Sequence, residues 1–136
     1  KTAQGLQLTE SFYWNLNDGT RAWSKRFGER MNGRMPTMVH AGVYSALTHY
    51  LKAVKAAGTT DADKVAAAMR DIPVSDTILP KASVRQDGRV IRPYYLFEVK
   101  KPEESKAPYD YYKLVREIPG EEAARPLSEG NCPLVK

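Results

Sequence analysis

The sequence predicts an α/β fold, and only part of one. Three observations lead there. Residues 5–16 alternate like a strand with one buried face. Residues 21–71 carry three helical stretches, and from residue 74 the texture turns extended and aromatic. One helical excursion between strands is too little for a parallel sheet, which needs repeated crossovers. Three modest helices also cover only one face of the aromatic strands well, so a missing layer is expected.

The first strand is placed at about 6–14. Leu6, Leu8, Phe12, Trp14 and Leu16 share one parity, and Gln7, Thr9, Ser11 and Asn15 share the other. Glu10 and Tyr13 break the rule. Asn17-Asp18-Gly19 ends the strand with turn chemistry. Thr20 or Asp18 is expected to cap a helix over about 21–32, in which Trp23, Phe27 and Met31 recur every four residues. Gly33 closes it, and Pro36 forces extension. The longest periodic run follows, a helix over about 39–57 with Val39, Val43, Leu47, Tyr50, Leu51 and Val54 at helical spacing. That stripe is expected to face the core. Ala41, Gly42, Ser45 and Ala46 leave room for another backbone against its first half. Lys52 and Lys55 suit the negative end of the helix dipole, and Gly58 is the stop. A third helix, over about 61–71, carries Ala62, Val65, Ala66 and Met69 on one side and ends before Pro73. It is expected to fold back on the long helix as a hairpin.

Strands are placed at about 82–86 and 89–100, joined by Gln86-Asp87-Gly88, whose Asp-Gly pair is a hairpin cue. Pro93 confines the first part of the second strand to an edge or a bulge. Residues 102–108 read as a loop. A strand at about 111–118 is expected to pair antiparallel with residues 96–100. Pro119-Gly120 turns the chain, residues 121–125 form at most one helical turn, and residues 126–136 are an irregular tail.

The chain has 136 residues, enough for one domain with a core. No apolar run approaches the roughly 18 residues that a membrane span needs. Lys1 is followed by polar residues rather than a signal peptide, so the chain reads as processed, trimmed or a fragment. The net charge of +5 is spread through every segment. Its densest cluster is Arg21, Lys25, Arg26, Arg30 and Arg34, which reads first as a solvated face and second as a surface for nucleic acid or acidic ligands. The single cysteine, Cys132, fits either a reduced cytosolic protein or a piece of an exported one.

Motifs for catalysis are weak. His40 and His49 are nine apart on one helix and point to opposite sides, without carboxylates at ligand spacing, so no metal site is expected. Residues 28–35, GERMNGRM, have paired glycines but lack the Lys-Ser/Thr of a phosphate loop and the strand before it. Ser45 and His49 are four apart and within reach of each other. A mid-helix serine without an elbow is poorly presented for attack, and helix packing is the preferred reading. Tyr94, Tyr95, Phe97, Tyr109, Tyr111 and Tyr112 gather on paired strands. They pack a sheet or, in the alternative reading, stack on the bases of a nucleic acid in a small basic binding domain. Tyr13 and Trp14 stand at a strand end, where α/β sheets place ligands.

Four long segments carry a resemblance. They are FYWNLNDGTRAWSKRF, MPTMVHAGVYSALTHYLKAVKAAGTTDADKVAAAM, DGRVIRPYYLFEVKKPEESKAPYDYYKLV and IPGEEAARPLSEGNCPLVK. In order and spacing they resemble the branched-chain amino-acid-type (type I) periplasmic solute-binding proteins of ABC transporters. The resemblance implies a bilobal α/β fold with three crossover segments, of which this chain is the C-terminal third. Residues 5–15 would be a crossover strand, residues 20–72 a helical segment of one lobe, and residues 74–136 strands and tail of the other. It further implies periplasmic localisation, with the signal peptide and a disulfide partner for Cys132 upstream. Neither catalysis nor a cofactor is implied. The partners would be a small solute, such as an amino acid, amide or aromatic acid, and a permease in the inner membrane. Nucleic acid is not expected, and uncovered edges and faces predict self-association. The resemblance places Tyr13, Trp14, His40 and Tyr44 at the ligand cleft.

Overall fold

The computed structural model describes residues 2–133 and 135; Lys1 and the tail residues Leu134 and Lys136 lie outside them. Strand β1 (Gln7–Glu10) leads through an irregular segment into helices α1 (Asp18–Arg30), α2 (Met38–Ala57) and α3 (Ala62–Asp71). Short strands β2 (Ser83–Val84) and β3 (Val90–Ile91) follow, then β4 (Tyr94–Val99), β5 (Tyr112–Ile118) and a single turn of helix, α4 (Gly120–Ala123). Residues 102–104 and 127–129 make 3-10 turns.

Each helix begins on its own chemistry. Asn17 caps α1: its side chain accepts from the Thr20 amide at 3.0 Å, and Thr20 Oγ1 accepts from the Asn17 amide at 3.0 Å. The cap is therefore Asn17 and not Thr20 or Asp18, because only an oxygen three residues upstream reaches the free amide. Asp61 caps α3 through the Lys64 amide at 3.1 Å. Gly58 stops α2 at φ 64°, a left-handed conformation that glycine adopts without a Cβ penalty.

The buried face of α2 is Ala41, Ser45, His49 and Ala53. The expected core stripe is on the outside: Val39 and Val43 are 65% exposed, Leu47 and Leu51 56%. Both faces of this helix are thus fitted for contact, and the small one is used within the chain. Small residues let α2 lie close to its neighbours, and α3 packs on it as the expected hairpin, with His49 Nε2 donating to the Met69 carbonyl at 2.8 Å. Two buried clusters result. Phe12, Trp23, Ala41 and Ile78 form one, under α1 and α2. Val74, Leu79 and Ala82 form the other, beside the β2–β3 hairpin.

The main sheet has the order β1-β4-β5 and is antiparallel throughout. Strand β5 pairs with β4 as expected, with Glu98 opposite Lys113 and Val99 opposite Tyr112. The register shifts between Leu96 and Phe97, which pair with Arg116 and Leu114, so Val115 is a bulge residue. The expected strand over 89–100 is two strands, broken at Arg92-Pro93, because proline cannot donate to a ladder. The strand expected over 6–14 pairs only at Gln7–Glu10; beyond it Phe12 and Tyr13 turn into the core. Residues 113–117 of β5 are all exposed, which bears out the expected uncovered layer.

Candidate functional site

Tyr13 and Trp14 sit where the segment after β1 meets the loop before β5. Tyr13 is buried, and its hydroxyl donates to the Tyr109 carbonyl at 3.0 Å. The same oxygen accepts from the amides of Tyr111 at 3.0 Å and Tyr112 at 3.3 Å. One donor and two lone pairs are the full capacity of a phenol. Trp14 Nε1 donates to the same Tyr109 carbonyl at 2.8 Å. These bonds pin a loop in which Tyr109 itself has φ 66°, a strained value for a bulky residue. Asp110 braces the loop from the other side: it accepts from Lys100 Nζ at 2.7 Å and from the Lys106 amide at 3.1 Å. The Lys100 ammonium beside it holds its carboxyl below the ordinary range, and burial opposes that shift.

Against this clamp lies a depression of about 220 Å³, walled by Phe12, Tyr13, Trp14, Tyr111 and Tyr112 and by residues 35–38. Glu10 also lines it, and burial pushes its carboxyl above the usual carboxylate range. Glu10 read in the sequence only as an exception to strand alternation.

His40 and Tyr44 open on a different surface, the groove between α1 and α2. This groove encloses about 540 Å³ between Trp23, Phe27, Val39, His40, Val43 and Tyr44, with Arg26 and Arg30 at its border. Tyr44 packs on Trp23 with ring centroids 5.2 Å apart, and His40 meets the edge of Phe27 at 5.0 Å. His40 Nδ1 accepts from the Thr37 amide at 3.1 Å, which puts its proton on Nε2. Thr37 Oγ1 is 3.0 Å from the same nitrogen.

The four expected residues are therefore paired, not gathered. Trp14 and Tyr44 pack against one buried cluster but face separate openings. Arg26 and Arg30 were grouped in the sequence with a solvated basic face, and their spacing on α1 is the signal that puts both on the groove. Ser45 and His49 do not pair: Ser45 Oγ donates to Asp76 at 2.6 Å and His49 to Met69. Asp76 in turn accepts from the amides of Ile78 and Leu79. Ser45 thus fastens α2 to the turn before β2, and His49 fastens it to α3.

A segment pinned between a helical layer and an antiparallel sheet, flanked by open aromatic depressions, is the architecture of a type I ligand-binding protein in part. Residues 1–106 match the family model described as periplasmic binding protein, and the chain belongs to that family. It is 48% identical to a periplasmic binding protein from Burkholderia mallei, with 99% of this chain and 36% of that one covered at a TM-score of 0.95. It is 46% identical to a branched-chain amino acid ABC transporter periplasmic ligand-binding protein from Burkholderia xenovorans, covering 98% and 36% at a TM-score of 0.92. A solute-binding protein from Rhodopseudomonas palustris, in complex with 3,4-dihydroxybenzoic acid, shares the fold at 16% identity, 87% and 32% coverage and a TM-score of 0.71. The chain spans about a third of the length of these structures. No curated protein matches it.

Proposed function

We propose that the chain is the C-terminal part of an ABC-transporter solute-binding protein, which takes up a small solute in the periplasm for an inner-membrane permease. The observation that carries this reading is 48% identity across 99% of the chain to a periplasmic binding protein of the same fold. The ligand-binding protein from Burkholderia xenovorans puts amino acids first among candidate solutes, with amides and aromatic acids next. In the complete protein the mechanism is hinge closure of two lobes around the ligand. Tyr13 and Trp14 set the geometry of the linking segment, while Tyr44 and the His40 Nε2–H offer an apolar wall and one donor to the cleft.

The test is calorimetry with a panel of amino acids, amides and aromatic acids. The panel is titrated into the 136-residue chain and into the same chain joined to the complementary part of a relative. Saturable binding is expected only for the joined protein. Micromolar binding by the 136 residues alone overturns the need for a two-lobed cleft. No binding by the joined, folded protein overturns the solute reading.

A further inference from the structure

The depression beside the Tyr13 clamp carries a charge opposite to that of the chain. The net charge is +5, yet Glu10, the last residue of β1, is the only charged residue that lines it. The ion pairs among the described residues leave the Glu10 carboxylate out. Burial alone raises its carboxyl above the ordinary range, with no neighbouring cation to oppose the shift.

Most other polar groups of the wall are already used. The Tyr13 hydroxyl is filled by its three bonds, and Trp14 Nε1 is on the Tyr109 carbonyl. Thr37 Oγ1 lies against His40. Beyond Glu10 the side chains offer rings, phenols and apolar surface. The rings line the depression at angles to one another. Tyr13 and Trp14 meet at 57° with centroids 6.0 Å apart, and Tyr111 and Tyr112 at 67° and 6.5 Å. Trp14 is half-buried and Tyr111 is exposed, so both keep surface open to an occupant. Ring faces attract cations, tryptophan most of all, and a partly buried carboxylate without a partner attracts them too. An anion would meet the carboxylate with no cation of the wall to offset it.

We propose that this depression holds the ammonium end of a small organic cation, with Glu10 as its counter-ion and Trp14 and Tyr111 as the rings it packs against. Its volume of about 220 Å³ suits a head group and not a whole drug-sized molecule, whose sites run to roughly 300–1,000 Å³. The proposal rests on the solute-binding reading and narrows it to solutes that carry a cationic amine, primary or quaternary. Glu10 then sets specificity, favouring such solutes over aromatic acids that have only a carboxylate to offer.

The test follows the Trp14 and Tyr111 ring signals of the 136-residue chain by NMR. Choline, methylammonium, benzoate and the carbon isostere of choline, a neutral alcohol of the same shape, are each added in turn. Choline or methylammonium should shift these signals with half-saturation in the millimolar range, too weak for the calorimetric titration to register, because one wall alone holds the ion. Tighter binding of choline assigns the larger share to the rings, and tighter binding of methylammonium assigns it to hydrogen bonds with Glu10; both support the proposal. Glu10→Gln, which keeps the size and removes the charge, should weaken binding roughly fivefold. The isostere and benzoate should leave the signals in place. Signals that no ammonium compound moves, equal shifts with the neutral isostere, or binding indifferent to Glu10→Gln each overturn the proposal. The joined protein separates the two readings. Binding of an aromatic acid there, with amines ignored, overturns the ammonium site and leaves solute capture standing. Ammonium binding by the chain, with no solute bound by the joined protein, does the reverse.

Discussion

Tyr13 shows how one side chain can look like a ligand contact in sequence and serve as a structural pin. Its hydroxyl has no capacity left after the bonds to Tyr109, Tyr111 and Tyr112. Tyr13→Phe keeps the ring but takes the hydroxyl from the Tyr112 amide, while the Tyr109 carbonyl keeps Trp14 and the Tyr111 amide keeps the Tyr109 carbonyl, so a loss of about 1–3 kcal/mol is expected. Urea unfolding should show it as a lower midpoint at constant slope. Asp110 gives a pH-dependent counterpart. Its carboxyl is held below the ordinary carboxylate range, first by Lys100 and then by the Lys106 amide. A depressed folded value means that its stabilisation is present above pH 3.8 and is lost as the pH falls through the folded value. Asp87 behaves alike beside Arg85, at about 2. Stability measured from pH 5 downward should fall less steeply in Asp110→Asn than in the parent, from a lower starting value. A matching slope in the two proteins would remove Asp110 from the account. Gly19 is a third single-residue constraint, since an added Cβ would lie 2.3 Å from the Thr77 carbonyl oxygen. Gly19→Ala should cost about 1–3 kcal/mol by overpacking, read as a lower thermal midpoint.

At the scale of elements, α2 is the informative case. The sequence shows a clean apolar period and, beside it, a row of small residues. Periodicity identifies the faces of a helix but not which neighbour each face meets. The row of Ala41, Ser45 and Ala53, with His49 among them, takes the neighbours inside the chain, and the large apolar row stays open. Ala53→Leu should therefore destabilise the chain by about 1–3 kcal/mol, whereas Leu47→Ala should stay within about 0.5 kcal/mol. Chemical denaturation of both variants checks this, and the opposite order would return the stripe to the core. The hairpin of α2 and α3, the Asp-Gly turn and the β4–β5 pairing were all legible, because each depends on local chemistry: Gly58, Asp61, Pro73 and Gly88. The β1–β4 pairing was not, since its partners are about 87 residues apart and nothing local marks them.

The molecule as a whole has two partly covered layers. The rings of β4 and β5 meet at Phe97, which lies 6.2 Å from Tyr95, 5.9 Å from Tyr112 and 5.3 Å from Tyr13. That packing occupies ring faces that a nucleic-acid binder would offer to bases. Leu114 and Val115 remain exposed on an outer strand of the sheet, as does the α2 face. Concentration-dependent self-association of the chain is expected. Sedimentation across a hundredfold range of concentration measures it, and a strictly monomeric profile counts against it.

The residues alone determined the order of elements, the ends of α2 and α3 and the family, because these rest on short-range chemistry and on long runs of matching sequence. They also singled out Tyr13, Trp14, His40 and Tyr44 as side chains at strand and helix ends. Only the tertiary structure decided that the first two are tied to the loop at Tyr109–Tyr112 while the second two line a separate groove. It alone decided that the larger apolar face of α2 looks outward. The physical reason is the same in both cases. A side chain's type sets what it can bond, but which bonds form depends on what distant segments bring within about 3 Å of it, and burial depends on every neighbour at once.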